Sequence, residues 1–203
     1  LSIFLIGSMG AGFYSGIQAA APDMRRTGDA YFDRQKLADI KVIGTMGMTQ
    51  EDVQALSRTE GVSLAEPGYM TDVLCGDEKS KQVLHVESLL PTINQVTVTE
   101  GTLPEAENEC LMDEEFALAN GYRVGDSLDI REEVEDGQDR MLKKKKLTIT
   151  ALGNSPAYIS YGRGSTTLGT GEVSGFLYVP EEAFSTEVYT QVWILADQAK
   201  EAQ

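Results

Sequence analysis

The chain has 203 residues, 17 basic and 32 acidic, for a formal net charge of −15, with 41% apolar and 24% charged residues. That composition is globular and excludes a largely disordered chain, and the acidity excludes both a nucleic-acid binder and adsorption to anionic lipid by charge alone. One large domain or two small subdomains are expected, with enough chain to bury a core.

The charge is unevenly spread: none occurs from Leu1 to Pro22, and the first charged residue is Asp23. A helix of about 22 residues spans roughly 33 Å, close to the thickness of a bilayer's hydrocarbon core. Residues 1–22 therefore read as the C-terminal part of a transmembrane helix, with Gly12 and Gly16 in a GxxxG step. Two other readings compete. Ala19-Ala20-Ala21 resembles a signal-peptide cleavage site, although no basic n-region precedes it. A buried soluble helix is the third reading, and Gly7, Gly10, Gly12 and Gly16 count against it. The chain starts at Leu1 and not at a methionine, so it reads as a piece of a longer protein. Residues 23–38 are expected to form a polar helical stalk. Arg25 and Arg26 lean toward a cytoplasmic flank, but a long acidic domain translocates regardless, so charge leaves orientation open.

Ile40-Lys41-Val42-Ile43 reads as a strand. Thr49 caps a helix toward Glu60, with Asp52 at its third position and Met48 and Val53 placed as a hydrophobic staple; Gly61 ends it. Val62–Glu66 and Tyr69–Leu74 follow as strands, then Lys81–Val86 with Val83 and His85 alternating against Leu84 and Val86, then Gln95–Thr99. Glu109–Met112 is a short strand, and Asp113 caps a short helix, Glu114–Ala119, stopped by Asn120-Gly121. Val124–Leu152 reads as a hairpin with Leu128 and Ile130 inward and Asp136-Gly137 in the turn. Lys143–Lys146, the one strong basic run, reads either as a phosphate or lipid patch or as a solvated arm. In the second reading, which is preferred, it faces Glu132, Glu133 and Glu135 across the turn. Ser160–Gly175 is a long Gly/Ser/Thr-rich loop without P-loop or dinucleotide-site context. Phe176–Val179 is a strand, Pro180 opens a short helix to Phe184, Tyr189–Leu195 is a strand containing Trp193, and Ala196–Gln203 starts a helix.

No catalytic, cofactor-binding or metal-ligating residue is singled out. His85 alone cannot build a multi-histidine metal site. It sits in an alternating strand, where a surface or core histidine is the ordinary reading. Cys75 and Cys110 lack CxxC spacing; they are either two separate thiols or a disulfide of an extracytoplasmic domain. The adjacent acids Asp113-Glu114-Glu115 and Glu132-Glu133 are unremarkable in so acidic a chain. No G-x-S-x-G motif, EF-hand loop or N-x-Ser/Thr acceptor occurs.

Several stretches taken together resemble a family. Gly12–Met24 followed by Asp29-Ala30-Tyr31-Phe32-Asp33 looks like the end of the first membrane helix of FtsX/MacB-like ABC transporter permeases. Asp39–Ile43 with Met48–Asp52 resembles the start of their large extracytoplasmic domain. Glu100-Gly101-Thr102-Leu103-Pro104, Glu109-Cys110-Leu111-Met112-Asp113 and Val124-Gly125-Asp126-Ser127-Leu128 resemble its most recognisable run. Cys75 and Cys110 fall outside that pattern. The resemblance implies an α+β fold, the MacB-like periplasmic core domain. A βαβ porter-type subdomain would take residues 39–103 and 185–203, and a mainly-β sabre-type subdomain, 104–184, would be inserted between. It implies a chain that is not itself an enzyme, held in the cell membrane with residues 23–203 extracytoplasmic. Such a domain relays the motion driven by a separate ABC ATPase subunit to a substrate or partner, working as a dimer or permease pair, without cofactor or nucleic acid. The competing readings are a single-span anchored interaction or sensor domain, and an extracytoplasmic hydrolase. The hydrolase reading requires a deep pocket holding a carboxyl of displaced pKa. The porter assignment requires Ile40–Ile43 and Tyr189–Leu195 to share one sheet.

Overall fold

In the computed structural model, which describes residues 2–76, 81–133, 140–160 and 162–197, the chain opens with a long helix, α1 (Ser2–Gln35). Pro22 lies inside α1, at the point where the uncharged stretch gives way to the charged one. Phe4, Leu5, Ile6, Met9, Phe13, Tyr14 and Ile17 are all exposed along it. Among the described residues no helix is long and apolar enough to cross a membrane. The expected transmembrane helix of residues 1–22 is thus present as a helix but lacks that apolarity, because the glycines, Ser8, Ser15 and Gln18 dilute it. Past Gln35 the chain turns through Lys36, whose φ is 49°.

The architecture is α+β and contains two sheets. The small sheet holds β1 (Ile40–Met48), β2 (Val62–Gly68) and β10 (Tyr189–Ala196) in the order β1-β10-β2. Both pairings are antiparallel, so β1 and β2 run parallel with the distant β10 between them. Helix α2 (Gln50–Ser57) makes the crossover. It begins as the sequence dictates: the Asp52 N–H donates to the Thr49 hydroxyl, and the Thr49 N–H donates to the Asp52 carboxylate at 2.8 Å. Val53 of α2, Met48 at the end of β1, and Val192 and Ile194 of β10 form one buried cluster. Strands Ile40–Ile43 and Tyr189–Leu195 share a sheet, as the porter reading requires.

The large sheet holds β3 (Met70–Cys75), β4 (Gln82–Ser88), β5 (Thr97–Gly101), β6 (Glu109–Asp113), β7 (Ser127–Arg131), β8 (Lys146–Asn154) and β9 (Gly175–Val179). Its order is β5-β8-β6-β9-β4-β3-β7, and a further β7–β8 pairing closes six strands into a ring. A closed ring this small is filled by its own side chains. Val73, Leu84, Val86, Cys110, Met112, Leu128, Ile149, Leu177 and Val179 fill it. Helix α3 (Glu114–Asn120) plugs one side: Phe116 is buried and packs so closely on Gly175 that a Cβ there would lie 2.8 Å from its ring. Asp113 caps α3, and Gly121, at φ 78°, ends it. A second apolar layer, Leu111, Ala151, Phe176 and Tyr178, lies on the outside of the ring, where α1 runs beside the turn Pro156–Tyr158.

Several expectations change. The sequence boundary at 103/104 leaves β3, β4 and β5 with the first subdomain, yet all three pair in the large sheet. The chain crosses between sheets at Tyr69, because partner choice is decided by long-range pairing and not by chain proximity. Strand β4 does not alternate in burial: Val83, Leu84 and Val86 are all buried, one face by the ring interior and the other by the Gly-rich loop, where Gly169 lies over Val83. Lys143 and Lys144 do not face Glu132 and Glu133; both reach Glu107, at 3.9 and 2.7 Å. Glu132 instead accepts the N–H groups of Met141 and Leu142. The turn at Asp136-Gly137, Glu135 and the helix expected beyond Asp197 lie outside the described residues. Cys75 and Cys110 are separate buried thiols. Burial pushes them up to about 11 and about 12, which keeps them protonated and unreactive.

Two glycines with similar φ separate strain from collision. At Gly121 an added Cβ meets nothing within 4 Å, whereas at Gly101, φ 82°, it would run into the Thr150 carbonyl oxygen of the paired strand. Gly121→Ala is expected to cost about 1–2 kcal/mol from the left-handed backbone alone. Gly101→Ala should cost at least about 3 kcal/mol, strain and overlap together. Urea unfolding of both variants checks the ordering.

Candidate functional site

The strongest concentration of buried polar chemistry lies where the small sheet, the tail of α1 and the outside of the ring meet. Each element contributes for a local reason. Lys41 sits on an edge strand, one residue into β1, so its long side chain can leave the small sheet. It crosses over Trp193, 4.6 Å from the ring centroid, and its Nζ ends 3.9 Å from Glu87 Oε1 on β4 and 3.6 Å from the Met70 sulfur. Burial lowers the Lys41 pKa from its ordinary value, an effect that the charges of Glu87 and Asp72 partly offset. Glu87 is almost fully buried and accepts a hydrogen bond from the Tyr158 hydroxyl at 2.7 Å. Tyr178 lies beside it and shares a hydrogen bond with Ser155 at 2.9 Å. Burial, with Glu87 next to them, raises both tyrosines far above the ordinary range, so they act only as neutral hydroxyls.

A second link joins the sheets. Glu66, buried on β2, accepts the backbone N–H groups of Thr92 and Ile93 at 3.1 and 2.8 Å. The next residues of that loop hold the end of α1. The Asn94 and Gln95 N–H groups donate to the carbonyls of Lys36 and Gln35, Asn94 Oδ1 accepts from Ala38 N–H, and Gln35 Nε2 donates to Thr97. Asn94 takes a positive φ of 51° to make this turn. Backbone and side-chain bonds thus tie the exit of α1 to β5, and Glu66 ties the same loop to the small sheet.

On β3 and β4, Asp72 and His85 are directly opposed, and their side chains form a short hydrogen bond through His85 Nδ1. Thr166 of the Gly-rich loop donates to the other Asp72 oxygen at 2.5 Å. That same loop is anchored by Arg163, which grips Asp113 in a bidentate pair at 2.7 and 3.2 Å and also reaches Glu115, the Tyr158 carbonyl and the Ser160 carbonyl. Arg163 was visible in the sequence as the only basic residue of its loop, but nothing local assigned it a partner.

The contacts of Asp72, His85 and Thr166 do not run in the order of a histidine-activated nucleophile. A histidine-assisted hydroxyl nucleophile has to bond to the imidazole. Here Thr166 bonds to Asp72, and the free side of His85, Nε2, faces Gly164. The hydrolase reading required a displaced carboxyl in a pocket. Asp52, Asp72, Glu107 and Glu109 are displaced, all downward, and none lines the concavity beside the last turns of α1 or the one around Arg163. Among those residues no group of three His, Cys, Asp or Glu side chains is placed to hold a metal ion.

No protein-family profile and no curated protein matches the sequence. Among solved structures, the chain is similar to the extracellular domain of the noncanonic ABC-type transporter YknZ from Gram-positive bacteria. That match has 11% identity over 78% of each chain and a TM-score of 0.47. It is also similar to the periplasmic region of MacB from Actinobacillus actinomycetemcomitans, with 9% identity over 78% of this chain and 67% of that one and a TM-score of 0.41. Both likenesses are of chain path, at identities too low to carry over any residue's role.

Burial by itself would push the Asp72 carboxyl up; the hydrogen bonds from His85 and Thr166, with the charges of His85 and Lys41, outweigh it and hold the group below its ordinary 3.8. A carboxyl held low in the folded state contributes stability that is complete above its ordinary value and is lost as pH falls through the folded one. Asp72→Asn is therefore expected to lower stability by about 1–3 kcal/mol near neutral pH. It should also flatten the decline that the parent shows below about pH 4. Urea unfolding across the acid range reads both effects, and an unchanged acid limb would count against Asp72 as its source.

Proposed function

We propose that this chain is the extracytoplasmic domain of an ABC transporter permease, which relays ATP-driven motion of a cytoplasmic ATPase to an extracytoplasmic substrate or partner. The observation that carries this reading is the way α1 enters the domain. The helix delivers the chain directly into β1 of the small sheet, and its last turn is bonded to the loop that Glu66 also holds. A displacement of α1 along or about its axis is thereby passed to both sheets at once. The exposed apolar residues of α1 add a second support: uncharged from Leu1 to Pro22, the helix needs a covering that this chain does not supply. A bilayer boundary and neighbouring membrane helices would supply it.

In this reading the small sheet with α2 is the porter-type unit and the ring is the sabre-type unit inserted into it. Residues 1–22 belong to the first membrane helix, and the acidic surface faces water outside the cell membrane. ATP hydrolysis resides in a separate ATPase, and a second permease copy or paired permease completes the assembly. The order of the short motifs quoted above supports the reading of the chain as such a domain, and the division between the two units follows the sheets and not the boundary at 103/104.

Spin labels test the relay. Glu51 and Leu118 are exposed, one on α2 and one on α3, while the native cysteines are buried, so Glu51→Cys and Leu118→Cys label selectively. In the full-length protein, purified from membranes with its ATPase and reconstituted in lipid discs, the label-to-label or label-to-lipid distance distribution is expected to shift between nucleotide-free and vanadate-trapped states. Lys41→Met, which removes the ammonium between the sheets, should broaden that distribution. Recovery of the protein without any ATPase, or distributions indifferent to nucleotide, would overturn the reading.

A further inference from the structure

The joint between the two sheets contains a donor with poor acceptors and an acceptor with no donor. Lys41 is the donor. Its ammonium has three N–H groups to place. It stands 3.9 Å from Glu87 Oε1, outside hydrogen-bond distance, 3.6 Å from the Met70 sulfur, and over the Trp193 ring. Gln191 is the acceptor. It is 1% exposed, and its Oε1 is buried with no hydrogen-bond partner among the described residues. A buried carbonyl oxygen without a donor bears the full cost of its desolvation.

The strand register places the two within reach of each other. Lys41 is directly opposite Trp193 and Ile43 is opposite Gln191, so Gln191 is the diagonal neighbour of Lys41 across the β1–β10 pair. Opposed residues share a face of the sheet, as do residues two apart on one strand. Lys41, Trp193 and Gln191 therefore lie on the one face from which Lys41 reaches Glu87. Diagonal neighbours stand about 7 Å apart, a gap that long side chains span. The Gln191 side chain leans instead toward β2, where its Cγ lies 3.7 Å from the place a Cβ would take at Gly68. Rotation about its own side-chain bonds carries the amide from the β2 side to the β1 side. The choice between the two contacts is also a choice between sheets. Glu87 and Met70 belong to the large sheet, whereas Gln191 belongs to the same small sheet as Lys41.

We propose that Lys41 is a two-position catch, engaged when its ammonium stands against Glu87 and Met70 and released when it bonds to Gln191 Oε1. The engaged position is the one in the structure, and it bridges the sheets. Release exchanges a distant carboxylate and a thioether for a hydrogen-bonded carbonyl, and Glu87 keeps the bond from the Tyr158 hydroxyl. The small sheet then stays tied to the loop at Thr92 and Ile93 through Glu66, which becomes the pivot. The catch needs only the fold, so its failure would leave the permease reading standing.

The one tryptophan of the chain reports the catch, because the engaged ammonium lies 4.6 Å from its ring centroid. In the intact 203-residue chain, relaxation dispersion of the Trp193 indole N–H signal reads exchange on the microsecond-to-millisecond scale. The parent is expected to show such exchange. Gln191→Met, similar in length but without the amide oxygen, and Lys41→Met are each expected to abolish it. Gln191→Glu places a charge at the second position and should shift the indole signal when Lys41 is present and not in the Lys41→Met background. The dispersion measurement decides alone should a buried charge at 191 prevent folding. Absence of exchange in the parent, exchange that survives Gln191→Met, or an indole shift from Gln191→Glu that is the same without Lys41 would each overturn the proposal.

Discussion

Strand β10 supplies the hydrogen-bonding partners of both β1 and β2, which cannot reach each other without it. The two strands that begin the domain run parallel, with a gap between them one strand wide, and the residues that fill it are Tyr189–Ala196, near the other end of the chain. Everything between β2 and β10 is thereby clamped as a closed insertion. The ring cannot drift away from the small sheet, because both of its chain ends are held by adjacent strands of that sheet. Val192 and Ile194 complete the core under α2 from the same strand, while Trp193 faces the other way and carries Lys41 toward Glu87. One strand thus serves the hydrophobic core on one side and the charged joint on the other, as the twofold alternation of a strand allows.

The joint itself mixes rigid and adjustable contacts. Glu66 is buried and accepts two backbone donors, a geometry with little freedom. Lys41 is held by a long ion-pair distance, a sulfur and a ring face, none of which demands one exact orientation. Removing a lysine's surroundings from water costs free energy that a distant carboxylate only partly restores. Such a contact changes length more readily than a well-formed bidentate pair. Arg163, which is bidentate on Asp113, belongs to the rigid side and fixes the Gly-rich loop to the ring. The contrast locates compliance between the sheets and stiffness within the ring.

How much of this was legible depended on the range of the interaction. The caps at Thr49 and Asp113 and the stop at Gly121 rest on residues four or fewer positions apart, and they appear where the sequence places them. The strands were mostly recognisable from their apolar, β-branched composition. Their partners were not. Nothing near Met70–Cys75 says that it leaves the small sheet, since its fate is set by pairing with β4 and β7. The alternation rule failed on β4 because both faces are covered, a condition that only tertiary structure creates. Glu132 was read against the lysines across its turn by charge, yet backbone donors at Met141 and Leu142 claimed it first. The joint residues Glu66, Glu87 and Asn94 carried no motif at all, and the stretch that contains Lys41 gave that residue no role; each becomes distinctive only through its surroundings in the fold.

The placement of Trp193, the chain's one tryptophan, gives the molecule an internal clock. It lies on the last of the described strands to be synthesised, since β1, α2, β2 and the whole ring precede it. Before that strand docks, the indole is in water and Lys41 has nothing to cover; afterwards the ring is buried to 9% exposure beneath an ammonium. Tryptophan emission is therefore blind to assembly of the ring and sensitive to the moment when the two ends of the domain are sewn together. Long-range closures of this kind are the slow class of folding step, so an ordinary refolding trace would time the joining of the small sheet across the ring.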